Sequence, residues 1–213
     1  MKFKSGVLFI LILISTVICF GQAGFNAMTD AAGFKQKFSI ATKNTTTIEA
    51  SFIQEKNLSV LSEKITSKGR FLFKKENKLR WEYTEPFHYL IILNNGTMLI
   101  KDEDKQSKTD ISSNKMFSEI NAIIIGCVQG NLFNDIKKFL PSFFENKVSY
   151  LVKLKPIQSN LKDYLEEIRI FFDKNDFTVK RLEMQEPSGD FTNIEFSGTK
   201  TNTIIPDAKF LAP

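Results

Sequence analysis

The chain has 213 residues, 42% of them hydrophobic and 25% charged, with a formal net charge of +5. That length supports one domain with a substantial core. One histidine and two cysteines leave no His or Cys cluster to hold a metal. The charges are interleaved, as in Lys74–Lys75–Glu76 and Lys162–Asp163, so no basic run marks a nucleic-acid face.

Lys2 and Lys4 precede an apolar stretch from Gly6 to Phe20. A basic start followed by an apolar run shorter than the roughly 20 residues of a membrane-spanning helix describes a secretory signal. Gly21 suits the position before the cut, so residues 1–21 are expected to leave and 22–213 to form one domain. An uncleaved membrane anchor is the alternative. Cys19 follows Ile18, whereas a lipidated cysteine normally follows a small residue, so Cys19 is assigned to the leader. Cys127 is then the lone thiol, and its neighbours Ile123, Ile124, Ile125 and Val128 favour burial.

Asp30 suits a helix N-cap, and Phe34, Phe38 and Ala41 at helical spacing predict a helix over 30–43. From Ile48 the period is two. Ile48, Ala50 and Phe52 alternate with Glu49, Ser51 and Ile53; Phe71 and Phe73 with Arg70, Leu72 and Lys74; Leu79, Trp81 and Tyr83 with Lys78, Arg80 and Glu82. Pro86 ends that third strand. A strand over 89–93 closes at Asn94–Asn95–Gly96, a strong hairpin signal, and strands over 97–101 and 105–111 follow. Met116, Phe117, Ile120, Ile123, Ile124 and Val128 then return to helical spacing. Leu132, Phe133, Ile136 and Phe139 suggest a second short helix stopped by Pro141. Strands over 148–155, 167–172, 177–184 and 191–196 complete the chain, with polar turns at 173–176 and 187–190.

Many strands joined by tight turns must bury one face. The fold class is mainly β with a few helices: a strongly curved antiparallel sheet with helices against it. The mid-chain helices interrupt the strand series where a lid or plug would be inserted.

No nucleophile–base set, metal-ligand spacing or glycine-rich phosphate loop appears, so neither catalysis nor a cofactor is expected. What stands out is an apolar stripe. Phe71, Phe73, Leu79, Trp81, Tyr83 and Ile91 would line the concave side of a curved sheet, and Met98 and Ile100 would extend it. Periodicity alone favours a filled core over a cavity wall. Burial is worth roughly 0.8 kcal/mol per methylene, so a chain of about 14–18 carbons in such a cavity could contribute about 10 kcal/mol before ordering costs.

Several runs resemble the LolA family of periplasmic carriers. Ala50–Ser51–Phe52–Ile53–Gln54 is similar to its ASFxQ strand. Gly69–Arg70–Phe71–Leu72–Phe73–Lys74, then Lys78–Leu79–Arg80–Trp81–Glu82–Tyr83 and Glu85–Pro86, resemble its next hairpin. Asn95–Gly96–Thr97–Met98–Leu99 matches its following turn. Asp190 to Phe196 and Ile205–Pro206–Asp207–Ala208–Lys209–Phe210 resemble its last strand and close. The resemblance implies a half-open antiparallel barrel with helices as a lid over an apolar cavity. It implies a carrier that takes acylated lipoproteins from an inner-membrane ABC-type release complex and delivers them across the periplasm to an outer-membrane receptor. The carrier is expected as a monomer.

On this chain the resemblance places Phe71, Phe73, Leu79, Trp81 and Tyr83 in the cavity and Met116, Phe117 and Ile120 in the lid. Family members carry a lid-binding arginine before the RWxY-like strand; Lys75 stands there, with Lys74 beside it. Lysine lacks the planar fork of arginine, so the lid lock is weaker or built differently. Residues 112–165 carry no convincing match. Three alternatives stay open: an outer-membrane-anchored receptor lipidated on Cys19, a carrier of another acylated lipid, and a structural β-domain with a filled core.

Overall fold

A computed structural model describes residues 24–61, 63–75, 77–103, 105–113, 115–133 and 138–211. The leader expected at 1–21, Cys19 included, lies outside them.

Helix α1 (Ala31–Thr42) follows a two-residue strand, β1 (Asn26–Ala27). Asp30 caps α1: its Oδ1 accepts from the Gly33 amide at 2.7 Å. Phe34, Phe38 and Thr42, four residues apart, are its buried face.

Six strands form a meander after it: β2 (Thr47–Asn57), β3 (Lys64–Lys74), β4 (Lys78–Glu85), β5 (Tyr89–Asn94), β6 (Thr97–Asp102) and β7 (Lys105–Asp110). The β5–β6 turn holds Asn95 at φ 49° and Gly96 at φ 79°. Both central residues thus have the positive φ that the twist of a tight hairpin favours. Next come α2 (Lys115–Gln129), β8 (Phe139–Glu145), β9 (Ser149–Pro156), a single helical turn α3 (Ser159–Lys162), β10 (Glu167–Asp173), β11 (Val179–Gln185) and β12 (Phe191–Thr201).

Among the described residues these strands form one antiparallel sheet in the order β1-β8-β9-β10-β11-β12-β2-β3-β4-β5-β6-β7. It is curved and unclosed, with β1 and β7 as its edges. The last strand, β12, sits mid-sheet against β2, with Phe196 opposite Phe52. This pairing brings the two halves of the chain together. Helix α2 follows one edge strand, β7, and precedes β8 near the other edge, so the chain crosses the concave side there.

One expectation is corrected. Leu132, Phe133 and Phe139 do not form a helical stripe: Leu132 and Phe133 lie in a turn, and Phe139 opens β8, which contains Pro141. Ile136 is outside the described residues. Strand β8 tolerates proline because β1 pairs with it only at Phe144 and Glu145, leaving no second ladder to break at Pro141.

The sheet buries both faces unequally. On the concave side, Phe34 and Phe38 pack with Phe133, Phe143, Phe172 and Phe177 in a linked aromatic cluster, ring centroids 5.2–6.4 Å apart. On the convex side, Leu90, Ile92 and Leu99 form a second small core with Ile205 and Phe210 of the C-terminal segment.

Candidate functional site

Strand register sets the apolar stripe into rows. Phe71 faces Trp81, Trp81 faces Ile91, and Ile91 faces Ile100. One step along, Phe73 faces Leu79, Leu79 faces Leu93, and Leu93 faces Met98. Residues opposite one another in an antiparallel pair share a face, and both rows lie on the concave side with Ile48, Ala50 and Phe52. Seven of the eight residues singled out by alternation thus sit in these rows beside Leu93, and Tyr83, two residues beyond Trp81 on β4, shares their face.

Helix α2 lies over this surface without filling it. Three cavities, each lined in part by α2, lie along it. The largest, about 420 Å³, is lined by Ile48, Ala50 and Phe71 from β2 and β3, by Ile123, Ile124, Cys127 and Val128 from α2, and by Ile170, Leu182 and Phe196 from the other sheet half. Its volume lies within the ~300–1,000 Å³ of small-molecule sites. Asn44, Thr45, Asp176, Thr178, Thr201 and Asn202 add polar groups to its wall.

The middle chamber, about 130 Å³, is lined by Leu79, Trp81, Tyr83 and Ile91 with Gln54, Asn121 and Met184. It shares Ile124 and Leu182 with the large one. The third, about 200 Å³, shares Gln54 and Met184 with the middle one and is lined by Lys56, Glu119, Leu161, Tyr164 and Glu186.

The structure therefore divides the stripe. Phe71 lines the large cavity, and Leu79, Trp81, Tyr83 and Ile91 line the middle chamber. Phe73, Met98 and Ile100 line none of the three; Phe73 is wholly buried and Met98 nearly so.

Of the lid residues, Met116, Phe117 and Ile120 lie on α2, with side chains outside those described. Among the described residues Lys75 bonds to α1. Its Nζ donates to the Lys43 carbonyl at 2.9 Å, at the C-terminal end of α1, where a cation also suits the helix dipole.

The C-terminal half of α2 is tied to the body by side-chain and backbone fit. Gln129 Nε2 donates to Asn77 Oδ1 at 3.4 Å. Gly130 takes φ 73°, and a Cβ there would stand 2.2 Å from Thr42 Oγ1 on α1. Only glycine allows that approach at that φ without strain. Toward its N-terminal half, Glu119 pairs with Lys138.

Electrostatics inside the chambers are muted. Burial pushes the Cys127 thiol far above its ordinary range, leaving it protonated and a poor nucleophile. Burial also raises the Tyr83 hydroxyl, against the opposing influence of the nearby Trp81 indole and of Gln54, whose Oε1 accepts from Tyr83 at 3.0 Å. The walls are mainly apolar with neutral polar groups, and charged side chains enter at Asp176 on the large cavity and at Lys56, Glu119 and Glu186 on the third.

Several lining residues were not singled out by sequence. Ile48 and Ala50 carried the signal, being on the same alternating face as Phe52. Leu182 and Phe196 belong to a distant segment, and only the β12–β2 pairing places them at the cavity.

A family model described as outer membrane lipoprotein carrier protein LolA matches residues 43–212. An outer-membrane lipoprotein carrier protein of Chromobacterium violaceum is 26% identical over 188 residues, covering 88% of this chain and 86% of that protein. The protein of that name from Francisella tularensis subsp. novicida is 26% identical over 168 residues, covering 79% and 78%. Among solved structures, the crystal structure of MucB aligns with a TM-score of 0.50 at 10% identity over 87% of this chain and 64% of that one, a likeness of fold alone.

Proposed function

The chain belongs to the LolA family of outer membrane lipoprotein carrier proteins, and from that premise we propose that its chambers hold the fatty acyl chains of lipoproteins in transit from the inner to the outer membrane. The observation that carries this reading is the unfilled apolar space between α2 and the concave rows. A filled core would leave no such space. Apolar burial supplies affinity at roughly 0.8 kcal/mol per methylene without any catalytic group.

The proposal includes export through the leader at 1–21 and action in the periplasm, where carriers of this family work. An inner-membrane ABC-type complex would load the cargo and an outer-membrane receptor would take it. No helix among the described residues is long and apolar enough to cross a membrane.

Two measurements test the reading. A fluorescent fatty-acid analogue should bind saturably and be displaced by a palmitoylated peptide. Absence of saturable binding would return the protein to a structural β-domain. Mass spectrometry of the mature N-terminus separates carrier from receptor: a diacylglyceryl group on Cys19 would replace the soluble-carrier reading with a membrane-anchored one.

A further inference from the structure

Helix α2 is held in two different ways along its length. Its C-terminal half is packed: Ile123, Cys127 and Val128 are buried in the main core. The backbone is close there as well. A Cβ at Gly126 would stand 2.9 Å from the Leu132 Cα, and one at Gly130 would stand 3.2 Å from the Ser39 carbonyl oxygen of α1. The Leu132 N–H donates to the Gly126 carbonyl at 3.0 Å. Interiors this close-packed leave that half no room to shift without losing buried contact.

The first half is tied by charge. Glu119 pairs with Lys138, and their side chains are 19% and 43% exposed. Lys138 belongs to the frame and not to the helix. Its carbonyl accepts from the Ile157 N–H at 2.9 Å, and the next residue, Phe139, opens β8 opposite Pro156. The pair therefore joins a helix to the sheet. Glu119 also lines the third cavity, beside Leu161, Tyr164 and Leu165. Lys56 and Glu186 make a second pair at the same cavity, 3.8 Å apart. Both of those stand on the sheet, so that pair holds nothing on α2.

From Glu119 to Gln129 is roughly 15 Å at ~1.5 Å per residue. A helix packed at one end and pinned at the other can swing about the packed end when the pin is released. An exposed ion pair suits the pin, because it is weak enough to break often and is weakened further by salt.

We infer that the Glu119–Lys138 ion pair is the latch of α2, a positioning pair that keeps the first half of the helix closed over the cavities. Its effect on ligand traffic rests on reading the cavities as an acyl-chain site; the motion of the helix does not. Two measurements on the intact protein test it. The first is native-state hydrogen exchange without ligand, read at the amides of residues 119–123. Glu119→Gln and Lys138→Met should each speed that exchange about two- to fivefold, the span of an exposed ion pair. The double swap, Glu119→Lys with Lys138→Glu, should return it toward wild type. Exchange in β2 and β12 should be the same in all forms. The second is release of the methyl ester of a pyrene-labelled fatty acid, chased with excess unlabelled ester. The ester is uncharged, so salt acts on the protein alone. Raising salt should speed release from wild type and leave release from the two single variants unchanged. Exchange and release equal to wild type in both single variants, or left fast by the swap, would overturn the latch; saturable binding of the ester would then leave the carrier reading standing. Faster exchange in the single variants, with no binding of the ester by any form, would keep the latch and overturn the acyl-chain reading.

Discussion

At the scale of single residues, two positions show how local chemistry fixes the frame around the chambers. Gly130 lets the end of α2 approach α1. A side chain there meets both a disfavoured φ and a contact far inside van der Waals range. Gly130→Ala is expected to lower stability by about 1–3 kcal/mol, read as a fall in the denaturant midpoint at constant slope. Asp207 makes the second case. Its carboxylate lies 2.7 Å from Lys74 Nζ and 3.2 Å from Lys78 Nζ, and these hydrogen bonds and charges hold it below the ordinary carboxylate range. A depressed acid contributes stability above its unfolded pKa and loses it as pH falls through the folded one. Wild type should therefore melt above Asp207→Asn at neutral pH, with the gap closing in acid. Because Asp207 is exposed, the gap should also shrink in high salt; a gap independent of pH would assign its role to geometry rather than charge.

At the scale of elements, helices α1 and α2 do different work. Ile124 lines both the large cavity and the middle chamber and is only half-buried. Phe38 on α1 is wholly buried in the aromatic cluster. Ile124→Asn is expected to reduce binding of a fluorescent fatty-acid analogue severalfold with a modest change in melting temperature. Phe38→Ala should cost about 3–5 kcal/mol of stability. Equal melting losses in the two variants would mean that Ile124 is ordinary core.

This contrast also shows what the sequence made legible. Alternation in Leu79–Trp81–Tyr83 and in Phe71–Phe73 gave strands, a shared face and the hairpins that join them, because side-chain parity is a local property of a strand. Whether that face is filled depends on groups arriving from far along the chain. Phe34 and Phe38 fill one half, while α2 stands off from the other. Parity could not separate Phe73, which is packed, from Phe71, which lines a cavity, since both stand on one face of one strand. Nor could it assign Leu90 and Ile92 a partner on the convex side, because Ile205 and Phe210 reach them only after the last strand has ended. The stripe from Leu132 to Phe139 misled for a related reason: its spacing fits a helix, but a strand edge tolerates Pro141.

At the scale of the whole molecule, the sheet is held at its centre and open at its edges. Strand β12 joins β2, so the first long strand and the last one lie side by side, each paired on both sides. Strand β7 at one edge is largely exposed, and β1 at the other is two residues long. Local opening free energies rise with buried contact and with ladders on both flanks. Native-state hydrogen exchange is therefore expected to be slowest in β2, β3 and β12 and fastest in β7, with α2 in between. Adding a saturating acylated ligand should slow exchange in α2 and in the strands lining the chambers, β2 to β5, β8 and β10 to β12, and leave β7 unchanged. The reason is linkage: a ligand that binds only the closed arrangement stabilises what it touches by an amount set by its concentration relative to Kd. An open edge that touches no chamber receives none of that protection. Uniform slowing across β7 and the core would instead indicate that the ligand stabilises the fold as one unit, and that α2 does not open independently of the sheet beneath it.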